Sequence, residues 1–312
     1  MEHANKRKLT SRRKRSKWLL RLLCITFIIL LLAAGGILWF ISNTATSASA
    51  VSNATTSDAA QKMVEIKNLI IQIVEKDVRT VKNTATEESH KTDGLAICMY
   101  HYVYDKDDPP QKINNNYIEV DALEEELKYL VENEYFFPTW EEVRQYIDGE
   151  LLLPEKSIVL TFDDGSRNFL ELGAPLFDKY QIPVTSFLIT KNDGEDKVAE
   201  YESDYVTFQS HSHDMHRAGG TIGHGGIFTA LPHDKALADL QESIRICKNG
   251  EAFAYPYGDY TDACVQVLEE AGFLCGVTTH NGRVYPGDNP LLLNRIRMTH
   301  NQSLSEFIYM VE

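Results

Sequence analysis

The first apolar pattern is an unbroken one. Residues 22–41 form a run of 20 without a single charge. As a helix such a run spans about 30 Å, the thickness of a bilayer core. Trp18 and Trp39 lie near its two ends, where amphipathic rings favour the membrane interface. The pattern predicts a retained membrane-spanning helix over 22–41. A cleaved signal peptide is the alternative, but its apolar region is usually about 7–15 residues. Residues 42–58 are Ser, Thr, Ala and Asn with almost no large side chains, the composition of a flexible stalk. Met63, Ile66, Ile70, Ile73 and Val74 then recur at helical spacing, read as a short helical spacer. A polar stretch over 82–93 completes a stalk and linker covering 42–93.

From Gly94 onward the pattern changes. Short apolar runs at 95–100, 157–162, 183–189, 205–210, 252–255, 274–278 and 291–298 read as buried strands. Between them lie helical periodicities: Leu123, Leu127, Leu130 and Val131 within 120–133, then 232–247 and 261–271, and a further helix after the second strand. Thr139 followed by Glu142 is a capping box that opens another helix, running to about Asp148. Strands alternating with helices imply parallel strands and right-handed crossovers. About seven such units predict an α/β fold of the distorted (β/α) barrel type over 94–312, with an open doubly wound sheet as the alternative.

Charge orients the chain. Residues 1–21 hold nine Lys or Arg and one acid, leaving 22 basic and 44 acidic residues, a net charge of −22, for the rest. Basic flanks stay inside, so 1–21 is expected as a cytoplasmic tail and everything after residue 41 outside the cell. An acidic body argues against nucleic acid as partner. Beyond Cys24, the cysteines Cys98, Cys247, Cys264 and Cys275 contain no CxxC pair, which excludes a zinc ribbon. They are read as mostly buried thiols, with pairing of Cys264 and Cys275 left open.

Three strings carry chemistry, each directly after a predicted strand. Asp163 and Asp164, followed by Gly165, end the run IVLTF. Adjacent carboxylates are costly there without a purpose, although DDG also serves plain turns. The string SHSHDMH over 210–216 holds three His in six residues, and neutral imidazole suits zinc, cobalt, nickel or iron. His211 and His216 stand five apart, a spacing for a strand end and turn rather than a helix face. His224 and His233 are read as loop residues. The string FAYPYG over 253–258 reads as a stiff aromatic loop able to line a groove, or as a tight turn.

Together these strings resemble the polysaccharide deacetylases of carbohydrate esterase family four, the NodB homology domain, from about Leu95 to Ile308. The resemblance implies a hydrolase that removes N-acetyl groups from an N-acetylglucosamine-containing cell-surface polysaccharide. It implies Asp163 as general base and Asp164, His211 and His216 as ligands of a divalent metal, zinc first, cobalt or nickel as alternatives. Four residues separate the two His, as in the biofilm poly-β-1,6-N-acetylglucosamine deacetylases. In that subgroup the catalytic His comes from an N-terminal strand, which points to His101 in MYHY; His300 is the competitor. His213 becomes a bystander. Tyr257 is implied as the oxyanion N–H donor, and Tyr255, Pro256 and Tyr257 as substrate-binding. Many family members carry Arg in the third motif where Ala254 stands here, so Arg295 or Arg297 is expected to orient the base. The resemblance equally allows peptidoglycan, chitin oligomers or acetylated xylan as substrate, xylan least of all beside a membrane anchor; a wall-binding protein with impaired catalysis and a small-amide hydrolase are the rival functions.

Overall fold

The computed structural model describes residues 93–312. The predicted tail, membrane-spanning helix and most of the stalk lie outside the described residues. Among the described residues no helix is long and apolar enough to cross a membrane.

The described chain begins with β1 (Ala96–Tyr100), β2 (Tyr102–Tyr104) and β3 (Tyr117–Glu119), followed by α1 (Val120–Glu132) and α2 (Trp140–Ile147). Next come β4 (Ile158–Phe162), a π-helical turn (Phe169–Gly173) that runs into α3 (Ala174–Tyr180), β5 (Val184–Leu188), α4 (Gly194–Glu200) and β6 (Val206–Ser210). The last part holds α5 (His233–Cys247), β7 (Ala252–Ala254), α6 (Asp262–Ala271), β8 (Cys275–Asn281), β9 (Leu293–Arg297) and α7 (Leu304–Val311). Seven strands close a parallel barrel in the order β1-β4-β5-β6-β7-β8-β9. Closure comes from β1 against β9, with Cys98 beside Ile296 and Met99 beside Arg297. The barrel reading is therefore the right one, and the open sheet is excluded.

The strands read as continuous apolar runs because both faces are covered. Alternate side chains divide between the barrel interior and two outer cores. Ala96, Cys98 and Tyr100 of β1 face outward under α1, α3 and α7, with Leu160, Phe162, Val184 and Leu188. Ile97, Val159, Phe187, Val277 and Leu293 fill the barrel interior. The helix α2 lies across the starts of the strands. Its Trp140 donates from Nε1 to Thr185 Oγ1 at 3.0 Å, and its ring meets Phe187 at 6.0 Å. The predicted capping box at Thr139 is formed. One end of the barrel is thus sealed and the opposite rim is left for chemistry.

The structure departs from the sequence reading at several elements. The pair β2–β3 was not anticipated, being only three residues each, too short for a period. In α4 only Gly194 and Lys197 are buried, so no apolar stripe announces it. The strand β8 runs on to Asn281, past the expected end at Thr278, because its last residues are polar and partly exposed around a register irregularity. His233, read as a loop residue, is the first residue of α5. Cys98, Cys247, Cys264 and Cys275 are all buried free thiols, so Cys264 and Cys275 are not paired.

Candidate metal centre and active site

Parallel register sets the rim. Tyr100 pairs with Phe162 and Leu188 with Ser210. The residues that follow, His101, Asp163 and His211, therefore emerge at one level. Asp163 N–H donates to Tyr100 O at 2.9 Å and His211 N–H to Leu188 O at 3.0 Å, so the ladder continues into the site. The two carboxylates then part. Asp164 and Gly165 both have left-handed backbone, φ 72° and 59°, and the turn sends Asp163 inward and Asp164 toward solvent. Glycine is required at 165: a Cβ there would stand 2.4 Å from Leu188 Cδ1 and 3.2 Å from Leu188 Cα.

Asp163 is 3% exposed. Arg295, itself 1% exposed, reaches it from β9 with Nη1 to Oδ1 at 2.7 Å and Nη2 to Oδ2 at 2.7 Å. The guanidinium is completed by Nε to Thr278 O at 2.9 Å and Nη1 to Thr161 Oγ1 at 3.1 Å, and it lies over the Phe187 ring. Burial alone would push the Asp163 carboxyl up. The Arg295 charge and hydrogen bonds, helped by His211 and His101, outweigh it and hold the carboxyl well below the usual range. Of the two arginines anticipated on β9, it is Arg295 that reaches Asp163; Arg297 turns outward to Asn116. Ala254 is fully buried inside the barrel.

Asp164, His211 and His216 converge. Asp164 Oδ1 stands 3.6 Å from His211 Nε2 and 3.6 Å from His216 Nε2, and all three ligand atoms fall within 4.8 Å of one another. His211 Nδ1 lies 2.7 Å from Ala254 O. A carbonyl only accepts, so Nδ1 donates to it, and Nε2 is the ring nitrogen left to face Asp164 as a ligand. Burial, then the neighbouring His211, push His216 down to about 4 against the pull of Asp164, so its imidazole is neutral at pH 7. Two imidazoles and a carboxylate, with Asp164 Oδ1 beyond hydrogen-bond length from both rings, fit a shared ion: ligands about 2.0–2.2 Å from zinc at tetrahedral angles stand roughly 3.3–3.6 Å apart. Tyr102 donates its hydroxyl to Asp164 Oδ2 and so occupies the oxygen that faces away from the His pair.

The remaining anticipated residues divide. His101, at the end of β1, has a buried Nδ1 with no partner among the described residues. Burial lowers its pKa against the opposing pull of Asp163 and Asp164, which places it in their field. His300 packs instead on Tyr104 at 5.7 Å, with its N–H on Asn115 O at 3.3 Å. His213 binds Thr190 Oγ1 through Nδ1 at 3.0 Å and takes no part in the cluster. Tyr257, partly exposed and left-handed at φ 61°, lays its ring 4.4 Å from that of His216. Tyr255 and Pro256 do not line a groove as expected. Both are buried, and Tyr255 packs among Phe228, Phe253 and Tyr260. Two polar neighbours were missed. Tyr102 sits one residue beyond His101 but bonds across 62 residues of sequence. Asp239, on α5, holds the turn between the two His.

Residues 152–276 match the family model for polysaccharide deacetylase. A poly-beta-1,6-N-acetyl-D-glucosamine N-deacetylase of Staphylococcus aureus is 26% identical over 203 residues, covering 60% of this chain and 69% of that protein. Among solved structures, the deacetylase PplD of Streptococcus pyogenes, solved with acetate, aligns with a TM-score of 0.61 at 24% identity, over 70% of this chain and 98% of that one. IcaB from Ammonifex degensii aligns with a TM-score of 0.58 at 24% identity, over 72% and 99%.

Proposed function

We propose that this chain, which carries a polysaccharide deacetylase domain, removes N-acetyl groups from a poly-β-1,6-N-acetylglucosamine-type cell-surface polymer with the help of a divalent metal. The observation that carries the reading is the convergence of Asp164, His211 and His216 beside a buried Asp163 clamped by Arg295. The similarity to the Staphylococcus aureus enzyme and the four residues between His211 and His216 support the β-1,6 linkage over peptidoglycan.

Asp164, His211 and His216 would hold the ion, for which zinc is the first choice given two imidazoles and one carboxylate. When bound, the ion lowers the pKa of water and polarises the acetyl carbonyl. Asp163 accepts the proton of the attacking water. Arg295 fixes its position and keeps it ionised throughout the working pH range. The backbone N–H of Tyr257, on the left-handed turn beside His216, donates to the oxygen on which charge develops. His101 delivers the proton that the departing amine needs. Since burial favours neutral His101 at the start, the proton that Asp163 takes from water passes to His101 and from it to the amine, which leaves Asp163 ionised again. Acetate and a glucosamine unit result. Arg295 does from β9 what the missing motif arginine at Ala254 would do, which removes the main ground for a catalytically impaired binding protein. The proposal includes a cytoplasmic tail at 1–21, an anchor at 22–41 and a stalk to 93, which hold the catalytic domain outside the cell near the nascent polymer.

Acetate release by the fragment starting at Asp93 tests this. With Zn²⁺ or Co²⁺ bound, β-1,6-linked N-acetylglucosamine oligomers are expected to react faster than β-1,4 oligomers or peptidoglycan. Asp163→Asn should reduce kcat by about 10²-fold or more, and a chelator should abolish release. A fragment that holds stoichiometric metal yet releases no acetate from any polymer would overturn the catalytic reading in favour of polymer binding.

A further inference from the structure

The segment between the two imidazoles is built around a carboxylate from another element. Ser212 is left-handed, φ 74°. An αL residue at such a turn makes the following N–H groups converge into an anion-binding nest. The nest is filled: Asp239 Oδ1 accepts from His213 N–H at 2.7 Å, and Oδ2 accepts from Asp214 N–H at 2.7 Å. Asp239 projects from the middle of α5 and is only partly exposed. Around it the turn is held on every side. Ser212 N–H donates to Ser210 Oγ at 3.1 Å, and Ser210 Oγ meets Ser243 Oγ, also on α5, at 2.5 Å. Met215 N–H donates to Ser212 Oγ at 3.2 Å. On the opposite side Thr190 N–H reaches Ser212 O and Lys191 N–H reaches His213 O, each at 3.1 Å, while Lys191 Nζ pairs with Asp214 at 2.6 Å.

We infer that Asp239 is a positioning residue that sets the distance between His211 and His216. Four residues separate these imidazoles, too many for one turn of helix to align them and too few for a free loop to fix them. Two adjacent main-chain N–H groups bound to one rigid carboxylate determine the path of the turn at its midpoint. His216 is thereby returned to within reach of Asp164 Oδ1, at 3.6 Å. Of the ligands, His211 is held by Ala254 O and Asp164 by Tyr102. Among the described residues His216 shows ring contacts with His211 and Tyr257 and a hydrogen bond to its own main chain, so its place follows the path of the turn. In Asp239→Asn one carboxylate oxygen becomes an NH₂ facing an N–H, a donor against a donor, while size and shape are kept.

The inference rests on the metal-centre reading above, and the test separates the two. Co²⁺ is titrated into the 93–312 fragment and its Asp239→Asn and Asp239→Glu variants, with the visible absorption spectrum and the Kd from chelator competition as readouts. Apoprotein melting is measured beside them. The parent is expected to bind one Co²⁺ with a tetrahedral-type spectrum. Asp239→Asn should weaken Kd about 10- to 100-fold and shift the spectrum, with an apoprotein Tm within a few degrees of the parent. Asp239→Glu, which keeps both acceptor oxygens, should recover part of the affinity. An Asp239→Asn fragment with the parent's Kd and spectrum overturns the inference, as does one whose Tm collapses while the residual folded protein gives the parent's spectrum. A parent that binds no Co²⁺ overturns the metal centre itself.

Discussion

Asp163 is a carboxylate in a place where a charge cannot stand alone, and Arg295 is the condition for its being there. Both are almost fully buried, and their two hydrogen bonds of 2.7 Å are parallel, the geometry in which a guanidinium is worth most. Because the folded carboxyl lies below its unfolded value, the pair contributes stability at neutral pH, and that contribution is lost only as pH falls below the ordinary carboxylate range. Arg295→Met keeps the bulk and removes the charge. Burial then dominates and raises the Asp163 carboxyl above its unfolded value, so the sign reverses. The variant should lose about 3 kcal/mol or more at pH 7 and recover part of this at pH 5, and kcat should fall about 10²-fold through misplacement of the base. Urea unfolding at the two pH values decides it; a variant with the parent's midpoint at pH 7 would sink the clamp argument.

At the scale of elements, α1 carries an unusual burial. Its core face is Leu123, Glu126, Leu127 and Leu130, with Glu126 only 2% exposed and accepting from Tyr100 Oη at 2.7 Å. Burial pushes its carboxyl up to about 8, with the Tyr100 hydrogen bond opposing. An acid whose folded pKa lies above its unfolded one holds its proton longer when folded, so stability falls as pH rises from the ordinary glutamate range toward 8. Glu126→Gln keeps an acceptor for Tyr100 and removes that slope. Its Tm should exceed the parent's by about 5 °C at pH 8.5 and match it near pH 5, as differential scanning calorimetry would show. Periodicity at this scale was readable where a helix has a clean stripe, as in α1, or a cap, as in α2. It missed α4, whose buried side is Gly194 and Lys197, and α7, although Ser303 and Glu306 form a capping box there.

For the whole molecule, the barrel is what turns separate strings into one site. Seven parallel strands all end on the same rim, and α2 seals the other end with Trp140 against Thr185 and Phe187. The proposed anchor adds a test at this scale. The full chain should sediment with membranes and be released by detergent but not by high salt, whereas the 93–312 fragment should remain in the supernatant and unfold in a single cooperative transition. A full chain recovered in the soluble fraction without detergent would refute the anchor.

The alternation of strands and helices, the limits of most strands and the candidates Asp163, Asp164, His211 and His216 were all legible along the chain, with barrel preferred to open sheet. Each of these is written in contiguous residues: an apolar run is a buried strand wherever it occurs, and the residue after it is at the rim of a parallel barrel. The partners of these residues became visible once the barrel was closed. Arg295 was singled out over Arg297 because the two leave the same face of β9 but at different heights: Arg295 is buried at the level of Asp163, whereas Arg297, the last residue of the strand, is exposed and reaches Asn116. Arg295 acts across 132 residues of sequence, as Tyr102 does across 62 and Asp239 across 26. Tyr255 and Pro256 looked like a sugar-facing loop and proved to be core, because a string of aromatics does not state which side of a turn faces solvent. Contacts between distant residues depend on strand order, register and the direction in which each side chain leaves the backbone, and these exist only once the barrel has closed.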